Sequence, residues 1–125
     1  MSENRVVLTL PWPPSVNHYK GRRKGGGEFL TAKAKEFIEV VHIEALSKPR
    51  LEGEISVAIL AYPPDKRKRD LDNVLKVLLD ALESADVFDD DSQVARIVIE
   101  RQEGYEGIVV VIVEEFKTKE VDHHG

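Results

Sequence analysis

The chain has no cysteine among its 125 residues, which removes a thiol nucleophile and cysteine-ligated zinc from the chemistry open to it. It has no apolar run approaching the roughly 20 residues a membrane span needs, and its first residues lack a signal-peptide pattern. Those absences lead to the expectation of a cytoplasmic protein with no membrane partner. Gly25-Gly26-Gly27 lies beside basic residues, but the Gly-Lys-Ser/Thr ending of a phosphate loop is missing, which argues against nucleoside triphosphate binding. Asp89-Asp90-Asp91 likewise lacks the alternating acids and glycine of an EF-hand loop.

What is present suits a globular domain. Hydrophobic residues make up 42% and charged residues 33%, and a chain of this length buries most of the surface its unfolded form exposes. The net charge of −5 opposes a simple nucleic-acid binder, for which a basic surface is expected. Its distribution answers that objection. From His18 to Lys35 six cations face one acid, an excess of five; from Glu83 to Gly125 four cations face twelve acids, a deficit of eight. Such a polarised chain presents one basic face to phosphates and repels them elsewhere.

Val6 to Leu10 reads as a short, poorly alternating strand closed by Pro11, with Trp12 as a packing anchor among Pro11, Pro13 and Pro14. Ser15 to Glu28 reads as a flexible loop, its basic part at about 18–28. Thr31 caps a helix through about Ser47 whose apolar side is Ala34, Phe37, Ile38, Val41, Ala45 and Leu46, with Pro49 as its stop. His42 falls at its surface or boundary. Ile55 to Tyr62 is a second strand ended by Pro63-Pro64, and Val94 to Gln102 and Ile108 to Phe116 are two more. The run Ile108 to Val113 is apolar on both faces, as for a central strand or one covered by a partner subunit. Residues 117–125 read as a frayed tail, His123 and His124 included.

The informative stretch runs from Asp65 to Asp91. Lys66, Arg67, Lys68 and Arg69 abut Asp70-Leu71-Asp72-Asn73. Leu71, Val74, Leu75, Leu78 and Leu82 then recur at helical spacing. Asp72 and Lys76 are four apart on another face. Asp70 and Asp72 would point about 160° apart in a continuous helix, so Asp70 is placed just outside it, as cap or turn residue. Each part has a plainer reading: a solvated charge run, a helix cap, a surface ion pair worth about 0.3–0.5 kcal/mol, an acidic turn. Their convergence on one helix is what the plainer readings do not explain.

Arg69-Asp70-Leu71-Asp72-Asn73, Lys76, Asp90-Asp91-Ser92-Gln93 and the early Leu10-Pro11-Trp12-Pro13-Pro14-Ser15-Val16-Asn17 together resemble the RusA family of Holliday junction resolvases, over roughly Leu8 to Glu114. The resemblance implies a Mg²⁺-dependent crossover junction endodeoxyribonuclease, with Mn²⁺ as a substitute ion. It would cut four-way DNA junctions as a homodimer in recombination and repair. By motif, Asp70, Asp72 and Asp91 are the catalytic acids and metal ligands and Lys76 the essential basic residue. Asp90 either supports the ligands or replaces Asp91, and Asn73 is a further supporting candidate. DNA contact is assigned to Asn17, Lys20, Arg22, Arg23, Lys24, Arg67, Lys68 and Arg69.

The expected architecture is one α+β domain over residues 1–125 in the order β-α-β-α-β-β, a mixed sheet with helices packed on one face. Asp70, Asp72 and Asp91 are expected to meet at one sheet edge. Two other functions stay open: a noncatalytic junction-binding module, which would bind without metal-dependent cutting, and a phosphohydrolase of small nucleotides, which would have little need for Lys20 to Lys24.

Overall fold

The computed structural model describes residues 5–15, 20–22, 24, 26 and 28–116. The chain forms β1 (Arg5–Pro11), β2 (Lys20–Arg22), β3 (Glu28–Leu30), α1 (Ala32–Ala45), β4 (Ile55–Tyr62), α2 (Leu71–Ser84), β5 (Val94–Arg101) and β6 (Ile108–Glu115). A four-stranded mixed sheet has the order β1-β6-β4-β5. β6 pairs antiparallel with both neighbours, and β4 runs parallel to β5. The expected α+β class and helix and strand order hold, with one addition. β2, inside the stretch read as a loop, and β3, which runs from its last residue to Leu30, pair as a small antiparallel hairpin, Gly21 opposite Phe29.

The sheet has one dry face. Val6, Leu8 and Leu10 of β1, Ile55, Val57, Ile59 and Ala61 of β4, and Val109, Val111 and Val113 of β6 are all buried, and their registers place them on the same side. There they meet Ala34, Phe37, Val41 and Ala45 of α1 and Val74, Val77, Leu78, Ala81 and Leu82 of α2 in a single core. Each fully buried Leu, Ile, Val or Phe contributes about 1.5–3 kcal/mol. Among the described residues no polar or charged side chain is buried. The chemistry therefore has to lie on the surface.

Several expectations shift in detail. β1 alternates regularly, buried and exposed in turn; its odd positions include Val7 and Pro11, which hides the period in the sequence. Thr31 caps α1 as expected, its Oγ1 accepting from the Ala34 amide at 3.2 Å. The helix stops at Ala45, however, and Leu46 is 81% exposed instead of joining the apolar side. The buried stripe of α2 includes Val77 and Ala81, with Leu71 and Leu75 at its margin. β6 is the expected central strand, and its second face, Ile108, Val110 and Ile112, is only half-buried because neither helix covers that side.

The parallel pair β4 and β5 fixes where the ends of α2 fall. A connection between parallel strands must carry the chain back along the sheet. α2 therefore starts beside the end of β4 and finishes beside the start of β5.

Candidate active site

The approach to α2 is rigid. Trp12 donates its amide to the Gly107 carbonyl at 2.9 Å, and Gly107 donates to the Pro63 carbonyl at 3.3 Å. Gly107 sits at φ +69°, and a Cβ there would meet Pro64 Cβ at 3.4 Å. A glycine is what this close, left-handed crossing requires.

Asp65 then gathers the basic strip. Its carboxylate accepts from the Arg67 amide at 2.9 Å, from Arg67 Nε at 3.3 Å and Nη2 at 3.2 Å, and from Arg69 Nη1 at 2.7 Å. The Arg69 bond, then the Arg67 bonds, hold the Asp65 carboxyl well below the usual carboxylate range. Hydrogen bonding to Asp65 correspondingly raises the Arg69 guanidinium. Arg69 also donates to the Arg67 carbonyl at 3.1 Å, and its own carbonyl accepts from Arg101 Nη2 at 3.2 Å. Its guanidinium carbon lies 5.8 Å from the Trp12 ring centre, within the range for a cation over an aromatic face. Arg69 is thus a fixed wall of the site. Arg67 keeps most of its side chain in solvent, 82% exposed. Lys66 and Lys68 are exposed and form no ion pair among the described residues.

Asp70 is the N-cap residue of α2, as its sequence placement implied, but its side chain makes no capping hydrogen bond. The plain capping role therefore does not occupy the carboxylate. Asp72 lies in the first turn and Lys76 one turn on, both exposed, and among the described residues no ion pair within 4.0 Å joins them. Two carboxylates and an ammonium thus remain uncommitted at the positive end of a helix, where negative charge is favoured.

Asp91 is elsewhere. Its carboxylate, with those of Asp90 and Glu83, forms a group whose oxygens lie within 4.8 Å of one another. Glu83 is eleven residues beyond Asp72 on α2, a rise of about 16 Å. The expected meeting of Asp70, Asp72 and Asp91 at one edge does not occur within a single chain. The parallel course of β5 against β4 is the reason, since it sends the two ends of α2 to opposite ends of these strands.

The second acid cluster is held by Gln93. Its Oε1 accepts from the amides of Asp89 at 2.7 Å and Asp90 at 3.0 Å. Its Nε2 donates to the carbonyls of Leu51 at 3.2 Å and Gly53 at 2.8 Å. All four hydrogen-bonding positions of one amide tie the acidic turn to the segment entering β4. Asp90 accepts from Ser92 Oγ at 2.6 Å, which lowers its carboxyl below the usual range. Glu83 was missed in the sequence. The signal was available, because eleven residues of helix bring the direction back to within about 20° of Asp72.

Of the other expected residues, Asn17 and Arg23 lie outside the described residues, and Lys20 and Arg22 are described only as backbone of β2. Lys24 is an exposed turn residue and Asn73 an exposed residue of the first turn of α2. His42, on the surface as expected, has Nε2 3.2 Å from Ser84 Oγ, joining α1 to the end of α2.

Cations beside uncommitted carboxylates at the start of α2 are the group types that hard-ion chemistry on phosphodiesters uses. The comparisons make this specific. The family described as Endodeoxyribonuclease RusA matches residues 11–114, and the chain belongs to it. It is 36% identical over 97 residues to the crossover junction endodeoxyribonuclease of Enterobacteria phage HK97, covering 72% of this chain and 77% of that protein. It is 37% identical over 94 residues to the enzymes of the same name from Shigella sonnei and Escherichia coli K12, covering 73% of this chain and 78% of each.

Proposed function

We propose that the protein is a crossover junction endodeoxyribonuclease that resolves four-way DNA junctions by metal-dependent phosphodiester hydrolysis. The observation that carries this reading is the Asp70 carboxylate, left without a capping bond beside Asp72 and the basic strip. A divalent ion fits this donor set, since Mg²⁺, or Mn²⁺ in its place, is held by one or two carboxylates together with water. When bound, the ion supplies Lewis-acid polarisation of the scissile phosphate and a more acidic attacking water. Asp70 and Asp72 would hold it. Lys76 donates to the non-bridging oxygens as negative charge builds on them, while water forms its bond to phosphorus and the bond to the bridging oxygen breaks. Lys68 and the outer face of Arg67 hold flanking phosphates, Arg69 shapes the wall between them, and Lys20, Arg22, Arg23, Lys24 and Asn17 extend the DNA surface. The domain spans residues 1–125 and works where its DNA is, in the cytoplasm.

Asp91 joins the site through a second copy of the chain. A two-fold axis crossing near the middle of α2 sets the start of one α2 beside the end of the other. Asp91 of the partner subunit is then delivered to Asp70 and Asp72. Among the described residues no strand pairs with the outer edge of β5, and Ile97 on that strand is 40% exposed; such an edge is open to antiparallel pairing. The resulting homodimer has two sites for two opposed strands, matching the symmetry of a four-way junction.

The test is cleavage of a labelled four-way junction and a matched linear duplex, with and without Mg²⁺, by wild type and Asp70→Asn. Paired cuts near the branch point, lost on chelation and reduced on the order of 10³-fold in the variant with junction binding retained, are expected. Junction binding by the wild type without cutting at any Mg²⁺ concentration would overturn the catalytic reading.

A further inference from the structure

Between Trp12 and the start of α2 lies a cleft of about 380 Å³. That is at the small end of ligand-sized cavities, which run from about 300 to 1,000 Å³. It has room for one planar base and none for a duplex. Trp12, Pro13, Pro14 and Val74 line it with apolar surface, and its polar lining comes from Ser15, Lys68, Arg69, Asp70 and Asn73. Pro13 and Val74 are buried, and Arg69 is anchored by Asp65 over the Trp12 ring, so the walls stand before any ligand arrives. Asn73 is exposed at the cleft, and among the described residues its amide makes no hydrogen bond, so it is free to meet a ligand.

Resting on the endonuclease reading above, we propose that this cleft takes a single unpaired nucleobase next to the scissile phosphate, with Asn73 reading its edge. The division of the lining follows the chemistry of a nucleotide. Apolar and proline surface meets the base faces, as in stacking recognition of single strands. The Asn73 amide offers one acceptor and two donors to the polar edge, the group type that pairs with base edges elsewhere. Lys68 and Asp70 stand at the rim, where the sugar-phosphate and its metal would lie. Extruding a base costs a few kcal/mol in a duplex and least where pairing is already broken. A branch point supplies such bases and an intact duplex does not. The cleft thereby links junction selectivity to a sequence preference at the cut.

Trp12 is the sole tryptophan of the chain, so its fluorescence reports on the cleft alone. The experiment measures Trp12 quenching and single-turnover cleavage for wild type on four-way junctions that are intact or carry an abasic residue at the nucleotide flanking each cut. A parallel panel varies the base at that position for wild type and Asn73→Ala. The expected results are strong quenching by the intact junction, loss of most of it with the abasic one, and about tenfold slower cleavage of the abasic junction. Asn73→Ala should cut all four bases at rates within about twofold of one another where wild type spreads them about tenfold. Equal quenching and equal cutting of intact and abasic junctions would overturn the proposal while leaving the endonuclease reading in place. A protein that cuts no junction would end that reading, and the quenching arm would still decide whether the cleft binds a base.

Discussion

The two ends of α2 carry opposite designs. At its start, cations and acids are interleaved: Asp65 fixes Arg67 and Arg69, while Asp70, Asp72 and Lys76 stay uncommitted. At its end Glu83, Asp90 and Asp91 gather, and among the described residues none of the three forms an ion pair, although the neighbouring Asp89 pairs with Arg50 at 3.3 Å. The start is equipped to hold phosphate and ion together. The end carries an excess of negative charge, which repels DNA unless a cation or a basic partner surface intervenes. In the reading proposed above one end of the helix binds and the other completes, and in a single chain they are about 16 Å apart.

Changes at each end should break this contrast unequally. Lys76→Ala removes the ammonium one turn beyond Asp72, and single-turnover cleavage should fall about 10²-fold with junction affinity held within about twofold. An unchanged rate would return Lys76 to an ordinary surface role. Gln93→Ala acts at the completing end without touching an acid. Loosening the turn that holds Asp90 and Asp91 should slow cleavage about tenfold and raise the Mg²⁺ concentration for half-maximal rate; a lowered melting temperature with unaltered Mg²⁺ dependence would make the residue structural only. Lys68→Ala should weaken binding to all DNA alike and reduce the salt slope by about one unit. A slope equal to wild type would put Lys68 in solvent even in the complex.

The smallest effect concerns Asp65. Its carboxyl is depressed in the folded chain, so its stabilising contribution is complete above the ordinary aspartate range, about pH 4, and is lost as pH falls below it. Wild type should therefore melt slightly above Asp65→Asn at neutral pH, and thermal melts of the two should converge in strong acid. A gap that widens on acidification would have the wrong sign for this clamp.

Much of this was legible in the sequence, for physical reasons that differ by element. β4 runs from Ile55 to Tyr62 as read, because alternation and the two prolines mark both its nature and its end. The Thr31 cap was readable because the hydroxyl satisfies a local amide. The β2–β3 hairpin was not, since strands of three residues, Lys20–Arg22 and Glu28–Leu30, are too short to show a period in the sequence. The error that mattered was spatial. The acids were correctly placed near the ends of an amphipathic helix, but whether those ends meet depends on β5 running parallel to β4, a long-range fact with no local signature. Asp65 as a clamp was likewise hidden, because a lone acid before four cations reads as part of a solvated run until its side chain is seen to bind two of them.

The central claim is that each active site combines Asp70 and Asp72 of one chain with Asp91 of another, and mixing inactive variants tests it most directly. Asp70→Asn and Asp91→Asn are co-refolded in equal amounts and assayed for nicking of a labelled four-way junction against each variant alone. The account predicts that neither variant cuts and that the mixture recovers about a quarter of wild-type nicking, since about half the dimers are mixed and each carries one intact site. A mixture shown by sedimentation to contain mixed dimers, yet as inactive as its parts, would contradict the shared site and place all three acids in one chain's own centre.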